Sequence, residues 1–149
     1  MIILQKDNFN RLKEKVKNSE KPIIFTSEDD EFNRKVLEKL PINILLINQK
    51  NRKDFQKQRD SGFNQVLAKI TKKNNIQIGI NLDEIIDSNS KEKFQILARI
   101  KQNIKLCNKN KIQMQFIGKN KRNLHDLKSL GLVLGMNTSV VKNLQTNIF

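Results

Sequence analysis

Short runs of apolar residues alternate along this chain with segments that repeat apolar residues at helical spacing. Residues 23–25 and 42–47 are such runs, which are typical of parallel strands covered on both faces. Between them, Phe32, Val36 and Leu37 recur at the spacing of a helix face. The strand–helix rhythm predicts a mainly parallel α/β sheet with right-handed crossovers.

The rhythm continues through the chain and predicts five strands, near residues 2–4, 23–25, 42–47, 76–80 and 112–117. Thr26-Ser27 is expected to cap the second helix. A final helix is expected to start near Asn137 or Thr138. A chain of 149 residues is long enough for one domain with a core and too short for two ordinary ones, so we expect a single domain over residues 1–149. The longest predicted helix has an apolar side formed by Phe94, Leu97, Ile100, Ile104 and Cys107.

The charge balance indicates a polyanionic partner. The chain has 29 Lys and Arg against 15 Asp and Glu, a formal net charge of +14, and nucleic acid is the first candidate for such a chain. A lysine-rich codon usage explains the lysines but not the scarcity of acids. No apolar run has the length of a membrane span and no signal peptide is visible. With Cys107 as the only cysteine, a cytoplasmic location is expected.

The longest polar loop, residues 51–62, follows the third predicted strand. This is the edge of a parallel sheet where ligands usually bind. Asp60 or Ser61 is expected to cap the next helix and to leave its free amides facing the loop cations. An ordinary solvated loop explains the pattern equally well, and Phe55 can either stack on a base or fold beneath the loop. The residues expected to bind an RNA backbone here are Arg52, Lys53, Lys57, Arg59 and Ser61.

Two further segments carry cations or amides. The loop after the fifth strand contributes Lys119, Lys121 and Arg122, which join the first loop in space if the sheet is parallel. A polar side is also what any amphipathic helix needs, so the polar residues of the long helix are ambiguous. The residues of this helix that are expected to bind either RNA or a partner protein are Arg99, Lys101, Gln102 and Asn103.

Catalytic residues are not evident in the sequence. The acids Asp29, Asp30, Asp83 and Glu84 lie where predicted helices begin, a position that favours negative charge without any catalytic role. His125 is the only histidine, so a multi-histidine metal centre is excluded. We therefore expect no catalytic residue and no metal bound by the chain.

Three stretches, in order, resemble one known family, the archaeal ribonuclease P protein component 3 family. They are residues 59–68 (RDSGFNQVLA), residues 96–107 (ILARIKQNIKLC) and residues 126–136 (DLKSLGLVLGM). The order of the three stretches is more specific than any one of them. The loop between Ile117 and Asp126 is shorter than the family pattern, and Gly118-Lys119-Asn120 departs from its usual turn.

The resemblance implies a TIM-barrel-like α/β fold, with a mainly parallel sheet and surrounding helices, related to polymerase-and-histidinol-phosphatase-type barrels. The start of the chain lacks strand material usual in the family, so an incomplete barrel is the alternative to a closed one. It also implies a non-catalytic subunit of ribonuclease P, whose RNA removes the 5′ leader from precursor tRNA. The implied partners are the ribonuclease P RNA, another small protein subunit and, indirectly, precursor tRNA, with no membrane. Mg²⁺ is expected for the RNA catalyst.

Two alternatives stay open at this point. A metal-dependent phosphoesterase of the related barrel class would use the acids at the helix starts. A generic domain for structured RNA would use the same basic loops without distinguishing one RNA from another.

Overall fold

Six parallel strands form one sheet in which each strand pairs with its neighbour in sequence. The computed structural model describes the backbone of residues 1–148 and the side chains of residues 1–146. The sheet has one more strand than the sequence predicts, because a two-residue strand pairs with the fifth. The strands are β1 (Ile2–Gln5), β2 (Ile23–Thr26), β3 (Ile44–Leu46), β4 (Gln77–Asn81), β5 (Met114–Gly118) and β6 (Asn147–Ile148).

Helices connect successive strands, as the rhythm of the sequence predicts. Residues 82–87 form a short helix because the Asn81 side chain accepts bonds from the amides of Asp83 and Glu84. Asp29, rather than Thr26-Ser27, caps the second helix. The helices are α1 (Phe9–Asn18), α2 (Asp30–Lys39), α3 (Gln65–Lys73), α4 (Leu82–Asp87), α5 (Ser90–Asn110), α6 (Leu124–Leu134) and α7 (Thr138–Lys142).

Both faces of the sheet are buried. Phe25, Leu45 and Phe116 belong to the large cluster that packs against the helices, whereas Ile24 and Ile44 belong to a smaller cluster on the opposite face. The sequential order of the strands, with helices between them, is that of a TIM barrel, whose sheet buries side chains on both faces in this way. Within residues 1–148, β1 does not pair with β6. The fold is therefore a TIM-barrel-like sheet that stays open between its first and last strands.

The apolar side of α5 differs from the prediction at one position. Ile96, Ile100, Ile104 and Cys107 are buried there, but Phe94 is 69% exposed. Phe94 lies at the margin of the predicted apolar face, and no neighbouring element covers it. The core of α5 therefore begins at Ile96.

Cys107 is expected to be unreactive in the native protein. Its side chain is fully buried, and burial raises the pKa of the thiol to about 12, so the nucleophilic thiolate is scarce at neutral pH. Titration with a chromogenic disulfide reagent should therefore detect no thiol under native conditions and one thiol per chain in denaturant. Rapid stoichiometric labelling of the native protein would contradict the buried placement.

Among the described residues, no helix has the length and apolarity needed to cross a membrane.

Candidate nucleic-acid interface

The ends of three neighbouring strands are tied together by a chain of polar side chains. Asn81, the last residue of β4, donates to the Oδ1 atom of Asn48 at 3.0 Å. Asn48 donates to the hydroxyl of Thr26 at 3.3 Å, and that hydroxyl donates to the carbonyl of Leu46 at 3.0 Å. These bonds fix the carboxyl edge of the sheet, from which the long loop of residues 47–64 departs.

A polar depression of about 550 Å³ lies at the carboxyl ends of β1 to β3. Active sites of TIM barrels lie at this end of the sheet. Its one cation, Lys6, is paired with Asp29 at 2.6 Å, and Glu28 adds a further negative charge. The depression is therefore poorly suited to a polyanion, and the unpaired cations lie in the loops beside it.

Asp83 and Glu84 are adjacent residues at the start of α4, and their side chains anchor two basic loops. These are the loop after β3, residues 47–64, which is called the first loop, and the loop after β5. Glu84 accepts bonds from the amides of Gln49 and Lys50 at 2.7 and 3.2 Å. Burial raises the pKa of Glu84 above its ordinary value, although these amide bonds act in the opposite direction. Asp83 accepts a bond from the amide of Lys119 at 2.9 Å. The sequence indicates these acids as favourable helix starts or, in the phosphoesterase alternative, as metal ligands, and it gives no signal for this anchoring role.

Arg52 lies inside the first loop. Its guanidinium binds both oxygens of Asp30 at 2.9 Å, approaches Asp60 at 3.4 Å and donates to the carbonyl of Asn48 at 2.8 Å. Only 10% of the side chain is exposed. A phosphate would have to displace these bonds before it could reach Arg52.

Arg99 of α5 reaches into the same loop from the opposite side. Its side chain is 3% exposed and donates to Asp54 at 2.9 Å and to the carbonyls of Gln49 and Arg52 at 3.0 and 2.8 Å. The bond from Arg99 lowers the pKa of the Asp54 carboxyl below its ordinary value. Arg99 thus joins three points of a loop that has no helix or strand of its own.

The neighbouring polar residues of α5 bind the end of the loop. Gln102 donates to the Ser61 hydroxyl and the Arg59 carbonyl at 3.2 and 3.3 Å, and Asn103 donates to the Ser61 carbonyl at 3.2 Å. Ser61 is buried and donates to the carbonyl of Phe63. The prediction that Asp60 or Ser61 caps α3 is wrong, because the Asn64 side chain caps this helix.

The predicted site residues therefore fall into two groups. RNA binding stays a prediction for both groups, but the side chains of Arg52, Ser61, Arg99, Gln102 and Asn103 bind the loop itself in this structure, and Arg52 also binds Asp30 of α2. The other group is exposed and comprises Lys53, Lys57, Arg59, Lys101, Lys119, Lys121 and Arg122.

Apart from Lys101 on α5, the exposed cations of the predicted site lie in two loops whose starts are on either side of β4. The loop after β3 carries Lys53, Lys57 and Arg59, and the loop after β5 carries Lys119 and its neighbours. Arg59 lies 3.8 Å from Asp54, but both side chains are partly exposed, so this pair is weak. Phe55, at the tip of the first loop, is 68% exposed. This edge can attract phosphates with charges that are largely free of competing acids.

The described part of the chain contains no candidate metal centre. No group of three or more His, Cys, Asp or Glu residues there is arranged to hold a metal ion. The acids at the helix starts are used instead for caps and for anchoring backbone amides.

Comparisons with known proteins agree with the family resemblance. Two curated relatives are ribonuclease P protein component 3 of Methanosarcina acetivorans, 34% identical, and that of Methanosarcina mazei, 33% identical, each over 95 residues. The matched stretch covers 64% of this chain and 37% of each relative, so the chain spans little more than a third of their length. No model of a protein family matches the chain.

The fold has a counterpart among solved structures. A chain in the cryo-EM structure of archaeal ribonuclease P with mature tRNA superposes with a TM-score of 0.79 and 21% sequence identity, covering 94% of this chain and 62% of that one. At this identity the likeness establishes the fold, and the sequence relationship rests on the curated relatives. Over the 95 matched residues, the chain is similar in sequence to archaeal ribonuclease P protein component 3.

Proposed function

We propose that this chain is a non-catalytic, RNA-binding subunit of ribonuclease P that supports the catalytic RNA in removing the 5′ leader from precursor tRNA. The observation that carries the proposal is the 95-residue likeness to ribonuclease P protein component 3. The net charge of +14 and the two exposed basic loops supply the chemistry that such a role needs.

The loops suit the recognition of an RNA backbone. Lysine and arginine side chains neutralise phosphates, and contacts of this kind position a protein on a nucleic acid without reading its sequence. Because Arg99 and Glu84 already hold the first loop, little backbone order has to be gained on binding. The loop would therefore meet RNA in a shape close to the one described.

The proposed partners are the ribonuclease P RNA and another small protein subunit, with precursor tRNA contacted through the complex. Mg²⁺ would be bound by the RNA, and the proposed location is the cytoplasm. The role does not require a reacting group on this chain.

Reconstitution tests the proposed function directly. Cleavage of precursor tRNA is measured with the cognate RNA and protein subunits, in the presence and absence of this chain, over a range of Mg²⁺ concentrations. We expect the chain to raise the cleavage rate at low Mg²⁺ and to show no cleavage by itself. The same rate and the same Mg²⁺ dependence without the chain would refute the role.

Replacing Lys57 and Arg59 together by Ala is expected to weaken binding to ribonuclease P RNA. Each lost phosphate contact removes roughly one unit from the slope of log K against log salt, so the slope should fall by about one to two units. Binding titrations at several KCl concentrations measure this slope. The matched control is the double replacement of Lys13 and Lys17, exposed lysines of α1, by Ala. Equal slopes for the two double variants would place the RNA surface elsewhere.

A further inference from the structure

One face of α5 points away from both the core and the first loop. Ile96 and Ile100 turn towards the core, and Arg99 turns towards the first loop. The remaining sector of the helix, about 80° wide at 3.6 residues per turn, extends over roughly 27 Å at 1.5 Å per residue. It carries Lys91, Phe94, Lys101, Lys105 and Lys109, and these five residues are called the α5 outer face.

The charge of the α5 outer face is entirely positive. All four of its lysines are exposed, and none of them forms an ion pair with the side chains of residues 1–146. The one acid of α5, Glu92, lies beside Gln49 and Lys50 of the first loop, away from this sector. A partner of this surface therefore meets four cations without a compensating acid.

Phe94 is the apolar element of this face. It is 69% exposed, although the other apolar side chains of α5 are buried or partly buried. A flat ring between cations provides a platform on which a base can stack, whereas the bases of a duplex are already stacked on one another. Exposure of Phe94 therefore favours an unpaired strand over a duplex.

A protein partner fits the α5 outer face less well. Aromatic residues are common in protein interfaces, but lysines are depleted there, and this face is made of lysines apart from its one ring. The face also continues into the first basic loop, because Gln102 at its margin donates to the carbonyl of Arg59. One polyanion can follow both surfaces.

We propose that the α5 outer face binds an unpaired stretch of RNA, with Phe94 stacking on a base and Lys101 and Lys105 contacting phosphates. The inference rests on the proposed RNA-binding function and adds the type of RNA structure recognised. It also gives a role to an exposed ring that the sequence places in the core.

Two substitutions at Phe94 test the stacking. Binding of the full chain is compared for a labelled single-stranded RNA 12-mer and a blunt 12-base-pair RNA duplex. Phe94→Ala should weaken single-strand binding about tenfold and leave duplex binding unchanged. Phe94→Leu keeps an apolar side chain without a flat ring, so it should weaken single-strand binding nearly as much as Phe94→Ala. The control is Val133→Ala, because Val133 is a 78% exposed apolar residue on α6.

The lysines are tested by the salt dependence of the same titrations. Replacing Lys101 and Lys105 by Ala should reduce the slope for the single strand by about one to two units, close to 0.7 per lost contact. Circular dichroism should show wild-type folding for all variants, since the replaced side chains are exposed.

Several outcomes would overturn the inference. Wild-type single-strand affinity in Phe94→Ala or in Phe94→Leu would exclude base stacking. Loss of co-purification with a second protein subunit, without any change in RNA affinity, would assign the face to a protein. If binding of ribonuclease P RNA requires Lys57 and Arg59 but not Phe94, the proposed function is supported and the proposal for the α5 outer face is rejected. If none of these variants changes RNA binding, the proposal for the α5 outer face is rejected and the RNA surface lies elsewhere, whereas the proposed function is refuted only by the reconstitution.

Discussion

Replacing Arg99 by Ala is expected to lower the free energy of unfolding by about 3 kcal/mol, because a buried guanidinium with three partners is lost. The carbonyls of Gln49 and Arg52 lose their donor, and Asp54 keeps only the longer contact with Arg59 at 3.8 Å. Urea unfolding followed by circular dichroism measures the change. Trypsin should also cut the first loop faster, since its middle would no longer be held against α5.

Arg34 provides the matched control. It forms an ion pair with Glu38 one turn along α2, but both side chains are largely exposed, so Arg34→Ala should cost less than about 0.5 kcal/mol. If Arg99→Ala is no more destabilising than Arg34→Ala, Arg99 does not hold the loop.

The Asp54–Arg99 pair also gives a direction for the pH dependence. The pKa of Asp54 in the folded protein is lower than 3.8, the ordinary value for this carboxyl. The pair therefore makes its full contribution to the free energy of unfolding above pH 3.8 and loses it as the pH falls through the lower folded pKa. The stability difference between the wild type and Arg99→Ala should therefore narrow under strongly acidic conditions.

Gly62→Ala is the second substitution for which we expect a large effect, a loss of about 3 kcal/mol. Gly62 has φ +69°, in the left-handed region where a side chain costs roughly 1–2 kcal/mol. A Cβ atom at this position would also overlap the guanidinium of Arg52, which is held by Asp30 and by the carbonyl of Asn48. Moving the guanidinium would break these bonds and add about 1–2 kcal/mol. Urea unfolding again provides the measurement.

Two comparisons separate the clash from the backbone strain. Gly135 also has a positive φ, +100°, but a Cβ atom there meets nothing within 4 Å, so Gly135→Ala should show the strain alone. In an Arg52→Ala background, Gly62→Ala should cost only the strain. Additive losses in this double-mutant cycle would show that the Arg52 side chain does not restrict position 62.

The central strands and the long helix are predictable from the sequence because their burial is visible in it. Continuous apolar runs mark β2 and β3, and an apolar repeat from Phe94 to Cys107 marks α5. β6 is not predictable, because Asn147 and Ile148 show neither a run nor an alternation, and only pairing with β5 makes them a strand. Helix caps are uncertain for a different reason, since Ser27 and Asp29 are both good caps and the path of the chain after β2 decides between them.

The exposed lysines of the site follow from composition and position, but the roles of Arg52 and Arg99 do not. Arg52 lies in a polar loop that has no periodicity, and Arg99 lies on the polar side of α5, so neither sequence context indicates burial. Their burial arises from bonds between distant segments, such as the bond from Arg99 to Asp54 across 45 positions of sequence. A polar side of a helix can thus face another polar segment rather than water.

The unbroken order of the strands, from β1 to β6, has a consequence for the synthesis of the chain on the ribosome. Each strand pairs with the one made just before it, so no emerging strand has to wait for a distant segment to be translated. Native pairing can proceed in the direction of translation, and apolar strand faces are exposed only briefly before their neighbours arrive. This topology limits the time during which incomplete chains present apolar surface to one another in the cell.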